Sequence, residues 1–277
     1  MMVQANGRKS IFITGAGSGM GRATAQKFAR EGWFVGVFDI AQPGLDSLSE
    51  EIGRDNGIFE TLDVTDADAF ARAMRNYAAA TGGTLDLMFS NAGIGGNPGM
   101  FDELAWDDIM QVVNVNFFGV MIGIRCAIPL LKATPGSLCL VNASSSAIWG
   151  TAGIAIYSAT KHAVRGLVEA LSIELKRYDV RAADLLPGLI DTPILPDQMR
   201  AMAPSEGMWR LVPPSEIADT VFSAYSSDRL HWYIPEDLRE FHRQVVNDPE
   251  GVREERTALA AQMAAMAAMA AQNSQES

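Results

Sequence analysis

The chain has 277 residues, 48% of them hydrophobic and 20% charged, enough apolar content to bury a large core and too much for intrinsic disorder. With 33 acidic and 22 basic residues it carries a net charge of −11 and no block of Lys and Arg, which argues against nucleic acid as a partner. Cys126 and Cys139 lie in apolar stretches without CxxC or zinc-type spacing, residues 1–10 hold no signal-type run, and no apolar run elsewhere reads as long enough to cross a bilayer, so a cytoplasmic protein with reduced thiols and no membrane partner is expected.

The first β-type run is "SIFIT" at residues 10–14, followed at once by Gly15-Ala16-Gly17-Ser18-Gly19-Met20-Gly21 and a helical pattern over 19–31. Glycines permit positive φ and close backbone approach, and the free N–H groups at a helix start attract anions. A glycine-rich turn between strand and helix therefore suits a diphosphate, although it equally suits a tight, closely packed connection. The second run, "FVGVF" at 34–38, ends in Asp39, about 20 residues on, where a carboxylate can accept hydrogen bonds from both ribose hydroxyls of an adenosine. Its charge repels a 2′-phosphate and neither Ser18 nor Ile40 offers a cation, which favours NAD over NADP.

A helix over 45–52 leads to a third strand at 57–62, closed by Asp63-Val64, an acceptor for an adenine amino group and a cover for its ring. A helix over 67–80 leads to "LDLMF" at 85–89, after which Asn91-Ala92-Gly93 leaves room for the middle of a dinucleotide. Taken singly, these Asp and Asn residues are also ordinary caps and turn formers. A long helix over 107–131 precedes "SLCLV" at 137–141, and the serines 144–146 that follow place hydroxyls at the same sheet edge. A helix over 157–178 then carries Tyr157 and Lys161, one turn apart on one face. A phenol with a pKa of about 10 is a poor base at neutral pH, and a neighbouring ammonium draws it toward a useful range. The last apolar run covers 180–186. Strand alternates with helix throughout, and the strands are continuously apolar, which predicts a single doubly wound parallel sheet with helices on both faces.

With these residues placed, the chain resembles the short-chain dehydrogenase/reductase family. The family's TGxxxGxG is met by Thr14, Gly15, Gly19 and Gly21, its NAG by Asn91, Ala92 and Gly93, its catalytic Asn by Asn116 in "NVNFFG", and its YxxxK by Tyr157 and Lys161. Its Pro-Gly motif is met by Pro187 and Gly188, and Ile190 and Thr192 resemble the residues that bind the nicotinamide carboxamide. The resemblance covers about residues 8–228. It implies Tyr157 as acid–base residue, Lys161 lowering its pKa, Ser144 orienting the substrate oxygen, and Asn116 holding a water that links Lys161 to solvent. Counting back from Tyr157 selects Ser144, whereas counting forward from Asn142 favours Ser145. The resemblance also implies direct hydride transfer between NAD and a secondary alcohol or ketone, and a homodimer or homotetramer built on the long helices. No metal is required, and His162, His231 and His242 lack ligand spacing.

Residues 193–214, rich in Met and bounded by prolines, correspond to the family's lid; with Ile94, Trp149 and Leu189 they suggest an apolar substrate. The family's usual last strand and glycine-rich ending are not recognisable. "HWYIP" at 231–235 reads as a short edge strand and 236–246 as a helix. The chain divides on this reading into a catalytic body, 1–235, and a helical extension, 236–277, whose Met263, Met266 and Met269 form a stripe able to dock, on an end that reads equally as frayed. A non-catalytic dinucleotide sensor or scaffold on the same fold is the alternative, since fold does not settle function.

Overall fold

The computed structural model describes residues 3–275, with side chains as far as residue 262; the methionine stripe at 263–269 lies outside the described side chains. Strands β1 (Ser10–Thr14), β2 (Phe34–Asp39), β3 (Gly57–Thr61), β4 (Leu87–Ser90), β5 (Leu138–Asn142) and β6 (Arg181–Pro187) alternate with helices α1 (Gly19–Arg30), α2 (Gln42–Ile52), α3 (Ala67–Thr81), α4 (Trp106–Val113), α5 (Gly119–Lys132) and α6 (Ala155–Glu174). Beyond β6 come the two-residue strand β7 (Leu189–Ile190), α7 (Asp197–Met202), β8 (Leu211–Val212), α8 (Pro214–Tyr225), β9 (His231–Ile234), α9 (Leu238–Asn247) and α10 (Pro249–Gln275).

Seven strands pair in parallel in the order β3-β2-β1-β4-β5-β6-β9. The chain runs outward from β1 to β3, then crosses to β4 on the other side of β1, so the strand order reverses between the carboxyl ends of β1 and β4. An open parallel sheet offers a ligand crevice at that point. The side chains alternate as a pleated strand dictates. Ile11 and Ile13 of β1 face one core with Phe28 of α1, Leu45 and Leu48 of α2 and Val221 of α8. Phe12 between them faces the other, with Phe70 and Tyr77 of α3, Ile124 of α5 and Val168 of α6. Each such side chain, fully buried, contributes about 2 kcal/mol by area. Helix α3 has its predicted ends: Asp66 caps it by accepting from the Ala69 N–H at 2.9 Å, and Gly82 closes it in the left-handed region at φ 67°.

The long helix corrects one expectation. Trp106–Lys132 runs as one 27-residue helix, apolar and long enough by length and composition to cross a membrane, among the described residues the one helix that is. Ile109, Val112, Val120, Ile124, Ala127 and Leu131 all turn inward, which makes it a core helix of the fold. At Asn114–Phe118 it widens into one π turn.

The C-terminal region is more ordered in its topology than the sequence suggested. β9 is the edge strand that "HWYIP" predicts, and it pairs with β6 so that Asp184 lies opposite His231. Helix α9 and the start of α10 bury Leu238, Phe241 and Val252 in the same core as α6. The segment 193–214 is held at its base by β7 pairing with β8, and Trp209 near its end packs edge-on to Phe241 of α9 at 5.5 Å, with the Arg256 guanidinium of α10 4.7 Å from each ring. Helix α8, unforeseen in the sequence, begins with Pro214 at a position where a missing N–H costs nothing and lies against α1.

Candidate active site

The glycine-rich turn after β1 and the Asn-Ala-Gly after β4 meet at the crevice. Gly15 takes φ +66°, and a Cβ there would stand 2.8 Å from the Ala92 Cα; a Cβ on Gly21 would stand 2.2 Å from the Gly15 carbonyl oxygen. Only glycine permits this approach of helix start, turn and neighbouring strand. Thr14 and Asn91 lock the two loops together. The Thr14 hydroxyl accepts from the N–H groups of Asn91 and Ala92 at 3.1 Å each, and the Asn91 amide donates to the carbonyls of Thr14 and Gly15 at 3.0 Å each.

Asp39 stands at the end of β2, its carboxylate accepting from the N–H of Gly17 at 2.8 Å and of Ala41 at 2.9 Å. A Cβ on Gly17 would come within 3.0 Å of that carboxylate, so the glycine keeps turn and acid in contact. Beside it Ser18 is exposed with no capping bond and Ile40 is 73% exposed. Met20 is half-buried in the first turn of α1. Asp63 is exposed and accepts from the Thr65 N–H and hydroxyl at 2.9 and 2.7 Å. Val64 is turned inward against Gly119, where a Cβ would lie 2.7 Å away.

At the far side of the crevice the sequence-predicted catalytic residues converge. The π turn aims Asn116 into the interior, and its fully buried amide both accepts from the Ile94 N–H and donates to the Ile94 carbonyl at 2.8 Å. Such single π turns favour functional sites because they redirect one side chain without breaking the helix. Gly93 leaves the space between these groups: a Cβ would stand 3.2 Å from the Asn116 side-chain oxygen and 3.6 Å from Lys161 Nζ.

Lys161, 4% exposed, points toward this space; its Nζ donates to the Asn142 carbonyl at 2.8 Å and lies 5.5 Å from the centre of the Tyr157 ring. Burial pulls its ammonium down to about 8. Tyr157 sits beside it, one turn earlier on α6. The residue is half-buried overall, yet its hydroxyl end is deep enough that burial raises the phenol above its ordinary value, and the counteracting influence is a hydrogen bond with Ser144. In this arrangement the ammonium stands beside the ring and donates one hydrogen bond to the Asn142 carbonyl. Ser144 is 6% exposed, and its hydroxyl also accepts from the Ser146 N–H at 3.0 Å, starting the 3-10 turn Ser145–Ala147. Of the two serines that residue counting brought into question, Ser144, the one chosen, is the one whose hydrogen bond opposes the rise at the phenol.

Pro187 ends β6, and Gly188 donates to the Ile234 carbonyl at 2.8 Å. Ile190 and Thr192 are buried, and the Thr192 methyl lies 3.0 Å from where a Cβ of Gly19 would sit, which brings the segment after β6 to the glycine turn. Asn142 is the residue whose part the sequence did not disclose. Its carbonyl holds Lys161 and its amide donates to Asn91 at 3.2 Å, linking the two halves of the crevice. The only trace of it in the sequence is the polar end of an apolar strand.

Comparison with known proteins places the chain in a family. A model of the family described as short chain dehydrogenase matches residues 9–202. The chain is 32% identical over 222 residues to cyclohexanol dehydrogenase of Acinetobacter sp. (strain SE19), covering 79% of this chain and 88% of that protein. It is 36% identical over 219 residues to 2,5-dichloro-2,5-cyclohexadiene-1,4-diol dehydrogenase of Sphingobium indicum, covering 76% and 86%. Among solved structures, a short chain dehydrogenase/reductase from Burkholderia phymatum in complex with NAD superposes with a TM-score of 0.79 at 25% identity, over 90% of this chain and 96% of that one.

Proposed function

The chain belongs to the short-chain dehydrogenase family, and from that premise we propose that it transfers a hydride between NAD and an apolar, cyclic secondary alcohol or its ketone, with Tyr157 as the acid–base residue. The protein is an oxidoreductase of CH–OH groups that uses a nicotinamide dinucleotide. The crevice fits such a group: glycines at 15 and 21 let the turn, helix start and neighbouring strand close up, Gly93 leaves space beside Asn116 and Lys161, and Asp39 stands at one end with a carboxylate suited to ribose hydroxyls.

The choice of NAD rests on Asp39, whose charge opposes a 2′-phosphate. Arg22 reaches the Gly17 carbonyl at 3.4 Å, but its guanidinium is committed to the Gly44 carbonyl, Ser47 and Glu51. Along the crevice, Asp63 and Val64 serve the adenine end, Gly15, Ser18, Gly19, Met20 and Gly21 the diphosphate, and Ile190 and Thr192 the nicotinamide end. The bound nicotinamide supplies or accepts the hydride at C4. Tyr157, kept protonated by burial, gives its proton to the oxygen of a ketone being reduced and recovers it from an alcohol being oxidised. Ser144 orients that oxygen by sharing its hydrogen bond with the phenol. Lys161 stabilises the phenolate that remains, and Asn116, held in place by its two bonds to Ile94, would hold a water that links Lys161 to solvent. Half-buried Ile94, Trp149 and Leu189 with the lid methionines wall the substrate side, and cyclic substrates appear in the names of both relatives above.

The convergence of Ser144, Tyr157 and Lys161 beside a dinucleotide crevice carries this reading. A catalytic body over 1–235 with its lid at 193–214, a homodimer or homotetramer on the faces that expose Trp106, Phe118 and Ile173, and a cytoplasmic setting with thiols whose pKa burial raises, to about 12 at Cys139, complete it. The test is to add NAD and a panel of apolar secondary alcohols, cyclohexanol first, and follow absorbance of reduced nicotinamide. Turnover lost in Tyr157→Phe with NAD binding kept supports it. Dinucleotide binding without turnover on any alcohol points instead to a sensor, and tighter binding of NADP than NAD overturns the part given to Asp39.

A further inference from the structure

Arg165 lies one helical turn beyond Lys161 on α6, and its guanidinium makes three bonds to three separate parts of the molecule. One N–H donates to the carbonyl of Ala147 at 3.1 Å, the last residue of the turn that begins at Ser144. Nε donates to Glu169 at 3.1 Å, one turn further along α6. The remaining nitrogen lies 3.3 Å from Nε2 of His242 on α9.

The third contact fixes the state of His242. A guanidinium only donates, so Nε2 must present its lone pair, and the ring proton sits on Nδ1, which donates to the Tyr233 hydroxyl oxygen at 2.7 Å. Burial and the Arg165 charge lower the His242 pKa, which keeps the ring in this neutral form. On the other side Glu169 lies 3.6 Å from Nε2 of His231, whose Nδ1 faces the fully buried Asp184 at 3.0 Å. The three donors of Arg165 are therefore held by partners that are themselves held, and one of them, His242 of α9, lies beyond the 9–202 span that the family model matches.

We infer that Arg165 is a positioning residue: braced by His242 of the C-terminal helix and by Glu169, it holds the Ala147 carbonyl and so fixes the turn that presents Ser144 to the phenol of Tyr157. The inference rests on the reading of Ser144 as the residue that orients substrate oxygen. Without the guanidinium the Ser145–Ala147 turn keeps its own bonds, Ala147 N–H to Ser144 and Ile148 N–H to Ser145 at 2.9 Å each, but loses its tie to α6. The serine hydroxyl then samples positions out of line with the substrate. Dinucleotide binding, which involves the opposite half of the crevice, is unaffected.

Hydrogen exchange and kinetics on the full chain test this together. In Arg165→Met, amide exchange in a peptide covering residues 144–149 should accelerate about tenfold, the loss of one charge-assisted bond, while β1 stays protected. The kcat should fall about 10- to 100-fold with the NAD Kd unchanged. Arg165→Lys, which can reach the Ala147 carbonyl but not all three partners, should recover part of the loss. His242→Ala should reproduce the faster exchange in milder form, and it decides the matter if Arg165→Met does not fold. Unchanged exchange at 144–149 in these variants overturns the inference whether or not any alcohol is turned over. Exchange that rises equally in β1 also overturns it, showing that Arg165 only stabilises the fold.

Discussion

The Lys161 ammonium donates a hydrogen bond to the Asn142 carbonyl at 2.8 Å while its Nζ stands 5.5 Å from the centre of the Tyr157 ring. The catalytic helix is thereby pinned to the end of β5, and the position of the ammonium is set by the sheet. An ammonium fixed in this way costs the fold stability because it is buried with few partners.

That cost gives a pH-dependent prediction. Burial lowers the Lys161 pKa from 10.5 to about 8, so the unfolded chain holds this proton more tightly than the folded one. The penalty is complete below pH 8 and fades as the pH rises toward 10.5. It amounts to about 3 kcal/mol, less about 1 kcal/mol returned by the bond to Asn142. Lys161→Met should melt higher than the wild type at pH 7, with the gap closing by pH 10, and should lose alcohol turnover about 100-fold or more. A thermal scan at pH 7 in which the variant melts lower would contradict the argument.

Gly21→Ala should be severe. Its Cβ would meet the Gly15 carbonyl oxygen at 2.2 Å, a backbone atom that cannot swing aside, and the Asn91 amide at 2.8 Å. The expected loss is about 3 kcal/mol of stability with dinucleotide affinity reduced at least as much. Urea denaturation and NAD titration would check both, and wild-type values in either would show that the turn is looser than its packing indicates.

His231→Ala should expose how costly Asp184 is. The carboxyl is completely buried, and burial raises its pKa while the bond from His231 opposes that rise. Removing the donor leaves an unpaired buried charge at pH 7, worth about 3 kcal/mol. Because the folded-state pKa lies above that of the unfolded chain, the penalty is present at high pH and declines as the pH falls through the folded value and the group takes up a proton. Denaturation midpoints at pH 7 and pH 5 should therefore differ more for the wild type minus variant at pH 7. An equal difference at both would mean that Asp184 is already protonated.

Arg200→Ala addresses the lid. Arg200 on α7 pairs with Asp191 at 2.9 Å and donates to the Thr192 carbonyl at 3.0 Å, tying the lid helix to the segment beside the glycine turn. The pair is partly exposed, so stability should change by less than about 1 kcal/mol. Its effect should appear in substrate capture, as a KM several-fold higher by the loss of about 1 kcal/mol of closed-lid preference. An unchanged KM for a bulky cyclic alcohol would show that the lid closes without this tie.

Much of the fold was legible because a parallel sheet buried on both faces demands continuous apolar strands, and "SIFIT" and "FVGVF" satisfy that demand in isolation. The helix over 67–80 was legible from its own helical pattern, and the structure ends it within one residue, at Thr81, with Asp66 and Gly82 as its caps. What escaped were elements that depend on distant partners. The strands β7 and β8 are two residues each and exist only by pairing with one another. The π turn at Asn114–Phe118 has no pattern of its own; it forms where Asn116 can bond both polar groups of Ile94.

The sequence by itself determined the order of strands and helices, the glycines at the phosphate turn, and the presence of a phenol and an amine one turn apart, because each is a local matter of periodicity, backbone freedom or spacing. Only the tertiary structure decided what that phenol experiences. Ser144 beside the phenol and Asn142 beside the amine come from another strand end, and the burial that raises the phenol's proton affinity comes from the whole fold.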